Sequence, residues 1–99
     1  MNIQNMLKQA KKIQADLEKK KTEIDQTIFK AKYSYVEVEA NGKKEILRIK
    51  IDEAFEMEKE DREMLADMIM VAVNNVLSQI DKEINNKIGK LGGSVPGLF

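Results

Sequence analysis

The sequence predicts an α+β fold in the order helix, three strands, helix. Three observations carry this reading. Residues 2–26 place apolar side chains at helical spacing with no Gly or Pro in the run. Residues 27–52 are rich in β-branched and aromatic side chains that alternate around Asn41-Gly42. Residues 62–88 return to a helical period and run into Gly89, Gly92 and Gly93. The predicted bounds within one domain, 1–99, are a helix at 1–26, a sheet at 27–52, an acidic loop at 53–61, a helix at 62–88 and a tail at 89–99.

In the first helix Ile3, Met6, Ala10, Ile13, Leu17 and Ile24 fall on a 3-4 spacing, broken where Lys20 takes a core position, and Leu7 widens the stripe. Lys8, Lys11, Lys12 and Lys19 lie on the opposite side. Lys, Gln, Ala and Glu favour the helix throughout. Seven turns make a rod of roughly 38 Å, too long to lie flat on so small a domain. Its C-terminal half is predicted to pack through Leu17 and Ile24, and its N-terminal half to project or to meet another copy.

Asn41-Gly42 is a hairpin signal, because a two-residue type I′ turn needs positive φ at both positions. That turn would set Val36 opposite Leu47 and Ser34 opposite Ile49 on one face. On the other face Glu39 would meet Lys44, Tyr35 would meet Arg48, and Tyr33 would meet Lys50. Residues 27–31 form the first strand, with Phe29 toward the core. The Tyr/Lys/Arg face could stack bases, but it reads more simply as a solvated face with cation–π pairs.

The loop DEAFEMEKED is expected to hold a short helical turn that packs Phe55, and Asp61 is the N-cap candidate of the last helix. Its carboxylates lack the alternating order of a calcium loop, and acids near a helix N-terminus suit the macrodipole. In the last helix Leu65, Ile69, Ala72, Val73, Val76, Ile80 and Ile84 form the stripe that should cover the sheet. Met64, Met68 and Val71 form a second line, predicted to be a dimer interface, since a helix apolar nearly all round is buried on more than one side.

The chain has 99 residues and no cysteine or histidine. Disulfides, thiolate chemistry, zinc sites and histidine proton shuttles are therefore not expected. No nucleophile–base pair or phosphate loop is evident, so no enzyme, cofactor, metal or small-molecule substrate is predicted. The start carries no signal-peptide pattern, and the most apolar region, 64–77, is shorter than a bilayer span. A cytoplasmic protein without membrane contact is expected. Net charge is zero, with 17 basic and 17 acidic side chains, yet residues 1–32 hold eight lysines against four acids and residues 51–70 eight acids against Lys59 and Arg62. Such a dipolar layout can bring an anionic partner to one end, although charge also simply solvates a small protein.

With these features in place, the chain resembles the YbaB/EbfC family of small bacterial nucleoid-associated DNA-binding proteins. The stretches that carry the resemblance are MNIQNMLKQAKKIQADLEK, NGKKEILRIKID, EMLADMIMVAVNNVLSQID and the ending PGLF. Many members have Asn-Asp where this chain has Asn74-Asn75, and a glycine-containing turn where it has Tyr33-Ser34. The resemblance implies α-β-β-β-α with a three-stranded antiparallel sheet, and a tight homodimer whose first helices extend like tweezer arms. It also implies binding of duplex DNA in the nucleoid, with effects on gene expression. Lys8, Lys11, Lys12 and Lys19 would then meet phosphates, which position a protein without reading sequence. The alternative is a protein–protein adaptor that uses the projecting helices as a clamp, with the lysines serving only solubility.

Overall fold

The computed structural model describes residues 2–89. The order is α1 (Ile3–Gln26), β1 (Ile28–Tyr33), β2 (Val36–Asn41), β3 (Ile46–Ile51), a single 3₁₀ turn (Lys59–Asp61) and α2 (Arg62–Lys87). The three strands form one antiparallel sheet in the order β1-β2-β3. The fold is α+β, α-β-β-β-α, as the sequence predicts.

Helix α1 begins at Asn2, whose side-chain oxygen accepts from the Gln4 N–H at 3.0 Å. This satisfies one of the donors that a helix start leaves open. It ends at Thr27, which turns extended, and the Thr27 hydroxyl donates back to the Glu23 carbonyl at 2.7 Å. Of its 24 residues only Leu17 and Ile24 are buried, and every residue from 3 to 16 is exposed. The N-terminal half therefore projects, and the described chain is elongated, 71 × 18 × 15 Å.

The core lies between α2 and two of the three strands. Ala31 from β1, Val36, Val38 and Ala40 from β2, and Met68, Ala72, Val76 and Ile80 from α2 are buried together. A second cluster, Leu17, Ile24 and Ile88 with Phe29 and Ile84 against it, fixes the C-terminal half of α1. Phe29 is half-buried and joins both clusters. The predicted stripe of α2 does cover the sheet, but only over β1 and β2. All six residues of β3 are exposed, Ile46, Ile49 and Ile51 among them.

The β2–β3 hairpin differs from its predicted register. Val36 pairs with Ile51 rather than Leu47, Val38 with Ile49, Glu37 with Lys50 and Glu39 with Arg48. The connection is longer than two residues. The Lys44 N–H donates to the Asn41 carbonyl and the Asn41 N–H to the Glu45 carbonyl, and Lys44 carries the positive φ, 65°. A type I turn followed by a left-handed residue is a standard three-residue hairpin loop. Lys44 therefore belongs to the turn and does not face Glu39. An irregularity between Glu39 and Ala40 adds a bulge. The slip for Val36 is four residues, an even number, so Val36 and Ile49 keep to the core face and Arg48 and Lys50 to the outer one. The β1–β2 turn is Ser34-Tyr35, with Ser34 at φ 54°. Neither residue lies in a strand facing β3, contrary to the expected pairs.

Asp61 does stand at the start of α2, but its carboxylate accepts from the Glu58 N–H at 3.0 Å and closes the preceding turn instead of capping α2. The short helical turn falls at residues 59–61, later than Phe55, which sits in a turn held by its N–H donating to the Asp52 carbonyl. Helix α2 ends at Lys87, one residue short of the prediction, with the Ile88 N–H still reaching the Ile84 carbonyl at 2.8 Å. Gly92, Gly93 and the PGLF tail lie outside the described residues.

Candidate nucleic-acid interface

The lysines of α1 form a coherent charged surface. At roughly 100° per residue, Lys8, Lys12 and Lys19 fall within about 40° of one another, directly opposite buried Leu17, and Lys11 borders them. All four are exposed. Of the acids of α1, Asp16 and Glu23 border the stripe beside Lys12 and Lys19, and Glu18 and Asp25 fall on the other flank, beyond Lys11. The ion pairs among the described residues are Lys21–Asp25, Lys30–Glu39, Lys44–Asp81 and Lys87–Glu83. None of them engages the stripe. Four exposed ammonium groups thus stand opposite the packed side of α1, in no ion pair among the described residues, with Asp16 and Glu23 one turn from Lys12 and Lys19.

The outer face of the sheet is built differently. Lys30 and Lys32 of β1 stand opposite Glu39 and Glu37 of β2, which in turn face Arg48 and Lys50 of β3. An acidic central strand runs between two basic ones, and Lys30 reaches Glu39 at 3.4 Å. A phosphate laid across this face would meet carboxylates. Tyr35 does not offer a free ring either, since it packs on Phe55 with centroids 5.0 Å apart. A hollow of about 340 Å³ there is lined by Lys32, Tyr35, Glu37, Lys50, Asp52 and Glu53 and has mixed charge. The solvated-face reading fits this surface better than a stacking platform.

The second apolar line of α2 divides. Met64 is 46% exposed and Val71 is half-buried, but Met68 is 5% exposed and sits in the chain's own core. Met68 falls only one turn from Ala72 along the helix, so the pattern that put it on a separate face drew the line too narrowly. Two surfaces escaped the sequence reading. One is the core-side face of β3, where Ile46, Ile49 and Ile51 are each about two-fifths exposed. The other is the hairpin tip against α1, where a Cβ on Gly42 would collide with the Ile24 carbonyl oxygen. Only the unusual apolar content of ILRIKI could have hinted at the first.

Among the described residues no cluster of carboxylates could hold a metal ion, and no helix is long and apolar enough to cross a membrane.

Comparison with known proteins sets this geometry in a family. A nucleoid-associated protein of Clostridium novyi is 43% identical over 100% of this chain and 90% of its own length. A nucleoid-associated protein of Mycoplasmopsis pulmonis is 41% identical over 92% of this chain and 95% of its own. The crystal structure of an uncharacterized protein from Helicobacter pylori superposes with a TM-score of 0.71 at 20% identity, covering 87% of this chain and 91% of that one, and supports the fold. Residues 1–95 match the sequence pattern of the YbaB/EbfC DNA-binding family, and the chain belongs to that family.

Proposed function

We propose that this protein is a nucleoid-associated protein that binds duplex DNA as a homodimer, chiefly through phosphate contacts, in the nucleoid region of the cytoplasm. Effects on nucleoid organisation and gene expression would follow from coating or bridging duplexes. The observation that carries the reading is the exposed lysine stripe of α1, which runs from the projecting half to Lys19 and takes part in no ion pair among the described residues, in a chain of a DNA-binding family. Lysine is a flexible point charge, without the arginine fork that reads guanine edges. Fifteen of the 17 basic side chains are lysine, so little sequence preference is expected.

The homodimer is supported by surface left uncovered in a single chain. The core-side face of β3 and the flank of α2 with Met64 and Val71 are both apolar. A second copy could cover each with the other, its α2 flank lying over β3.

The test is fluorescence anisotropy of a labelled duplex across a salt series. About three lysine contacts per arm give roughly six per dimer and a slope of log K against log salt near −5. Replacing Lys8 and Lys12 by Gln removes four charges per dimer and keeps helix propensity. The slope should flatten by about 3–4, and affinity should fall for all duplex sequences alike. Unchanged affinity and slope would return the stripe to a solvated surface.

One observation favours the adaptor reading. Ile3, Met6, Leu7 and Ile13, on the face of α1 opposite the lysines, are between 40% and 72% exposed. A helical protein partner would fit that stripe. Under this reading purified protein shows no duplex binding to lose.

A further inference from the structure

We infer that Lys43, at the tip of the β2–β3 hairpin, extends the phosphate-binding track beyond the C-terminal end of α1. This rests on the reading of α1 as the duplex-binding arm. The stripe does not stop at Lys19. On the same side of the helix come Thr22 and Gln26, which together with Ile28, Asn41, Lys43, Leu47 and one carboxylate, Asp25, line one open groove of about 540 Å³. Lys43 stands across that groove from the end of the stripe, on a different element.

The junction is tight. Gly42 sits so close to the Ile24 carbonyl that no side chain fits between hairpin and helix. The Asn41 side-chain oxygen accepts from the N–H groups of both Lys43 and Glu45, at 3.0 and 3.1 Å, an arrangement that locks turns of this kind. The hairpin tip is thereby packed against the C-terminal end of α1.

Charge pairing then singles out Lys43 among its neighbours. Lys21 is paired with Asp25 and Lys44 with Asp81 at 2.6 Å. Glu45 accepts from the Asn41 amide at 2.9 Å. Each carboxylate beside the groove already has a partner, and among the described residues no ion pair takes Lys43. Farther along, the sheet's outer face brings Glu37 and Glu39 between its basic strands, so the track ends at the hairpin.

The chemistry is that of a duplex backbone. From Lys8 to Lys19 the stripe covers roughly 16 Å of helix, along which a duplex carries about nine charges. Lys43 would meet the next phosphates of the same path. Adding one contact per subunit steepens the expected wild-type slope from about −5 to about −7.

The experiment compares duplex anisotropy over a salt series for wild type, Lys43→Gln, Lys44→Gln and the Lys8/Lys12 double variant, each checked for folding by circular dichroism. Lys43→Gln should flatten the slope by about 2. It should weaken binding at 0.1 M salt roughly 60-fold, taking 1 M as the reference at which the electrostatic part vanishes. Lys44→Gln, whose charge is already spent on Asp81, should leave the slope unchanged. A Lys43→Gln slope equal to wild type overturns the extension while a flattened double variant leaves the arm reading standing. Loss in Lys43→Gln with none in the double variant overturns the arm reading instead, and a wild type that binds no duplex overturns both.

Discussion

Gly42 shows how one residue can be conspicuous for one reason and needed for another. In the sequence Asn41-Gly42 signals a tight turn with positive φ. In the fold Gly42 has no left-handed φ, and the strained position is Lys44 at 65°. Gly42 is required because the Ile24 carbonyl of α1 occupies the space of a Cβ. Backbone cannot swing aside as a side chain does, so Gly42→Ala should destabilise by about 3 kcal/mol, the upper part of the range for overpacked sites. Urea unfolding should show the loss, whereas a cost under about 0.5 kcal/mol would mean that the hairpin and α1 separate freely. Such long-range proximity has no local signature, which is why turn chemistry was legible here and its cause was not.

At the scale of elements, α1 is two different helices in one rod. Residues 17–26 carry Leu17 and Ile24 into the second core cluster. Residues 3–16 are exposed on every side, and an isolated helix of that length is marginal in water. Amide hydrogen exchange should therefore be fast toward residue 3 and slow near residue 24. Protection of residues 3–12 matching that of 17–26 in the free protein would show that a partner covers the arm. This division was readable in advance, because Leu17 and Ile24, on either side of the break at Lys20, close the apolar stripe. The hairpin register was not. Alternation fixes which face a residue takes, and a slip of four preserves faces, so Val36 and Ile49 were sorted correctly while their partners were not. Loop length and the bulge together decide register, the longer loop supplying three residues of the slip and the bulge at Glu39/Ala40 the fourth, and the third loop residue, Lys44, has no sequence mark of positive φ.

For the whole molecule the decisive imbalance is surface. A folded monomer of 11.3 kDa exposes about 5,700 Å² by the usual scaling, and this chain exposes 7568 Å². The projecting arm explains part of the excess, and the uncovered face of β3 another part. A substitution that distinguishes a dimer from a loosely covered monomer must sit on that face and not in the core. Met68→Lys would fail this requirement, since Met68 is 5% exposed within its own chain and a charge there unfolds the protein in either case. Ile49 is 45% exposed in the single chain. If the chain works as a monomer, Ile49→Lys is a surface change worth within about 0.5 kcal/mol. If a second α2 lies over β3, the same lysine becomes a charge forced into an apolar interface, at a cost of several kcal/mol. Sedimentation should then show the variant as a monomer where wild type is a dimer. Its melting temperature should be lower than wild type's and should lose the dependence on protein concentration that a dimer imparts. A variant that sediments and melts like a dimeric wild type would place the interface elsewhere, on the arm stripe of Ile3, Met6 and Ile13 before any other surface described for this chain.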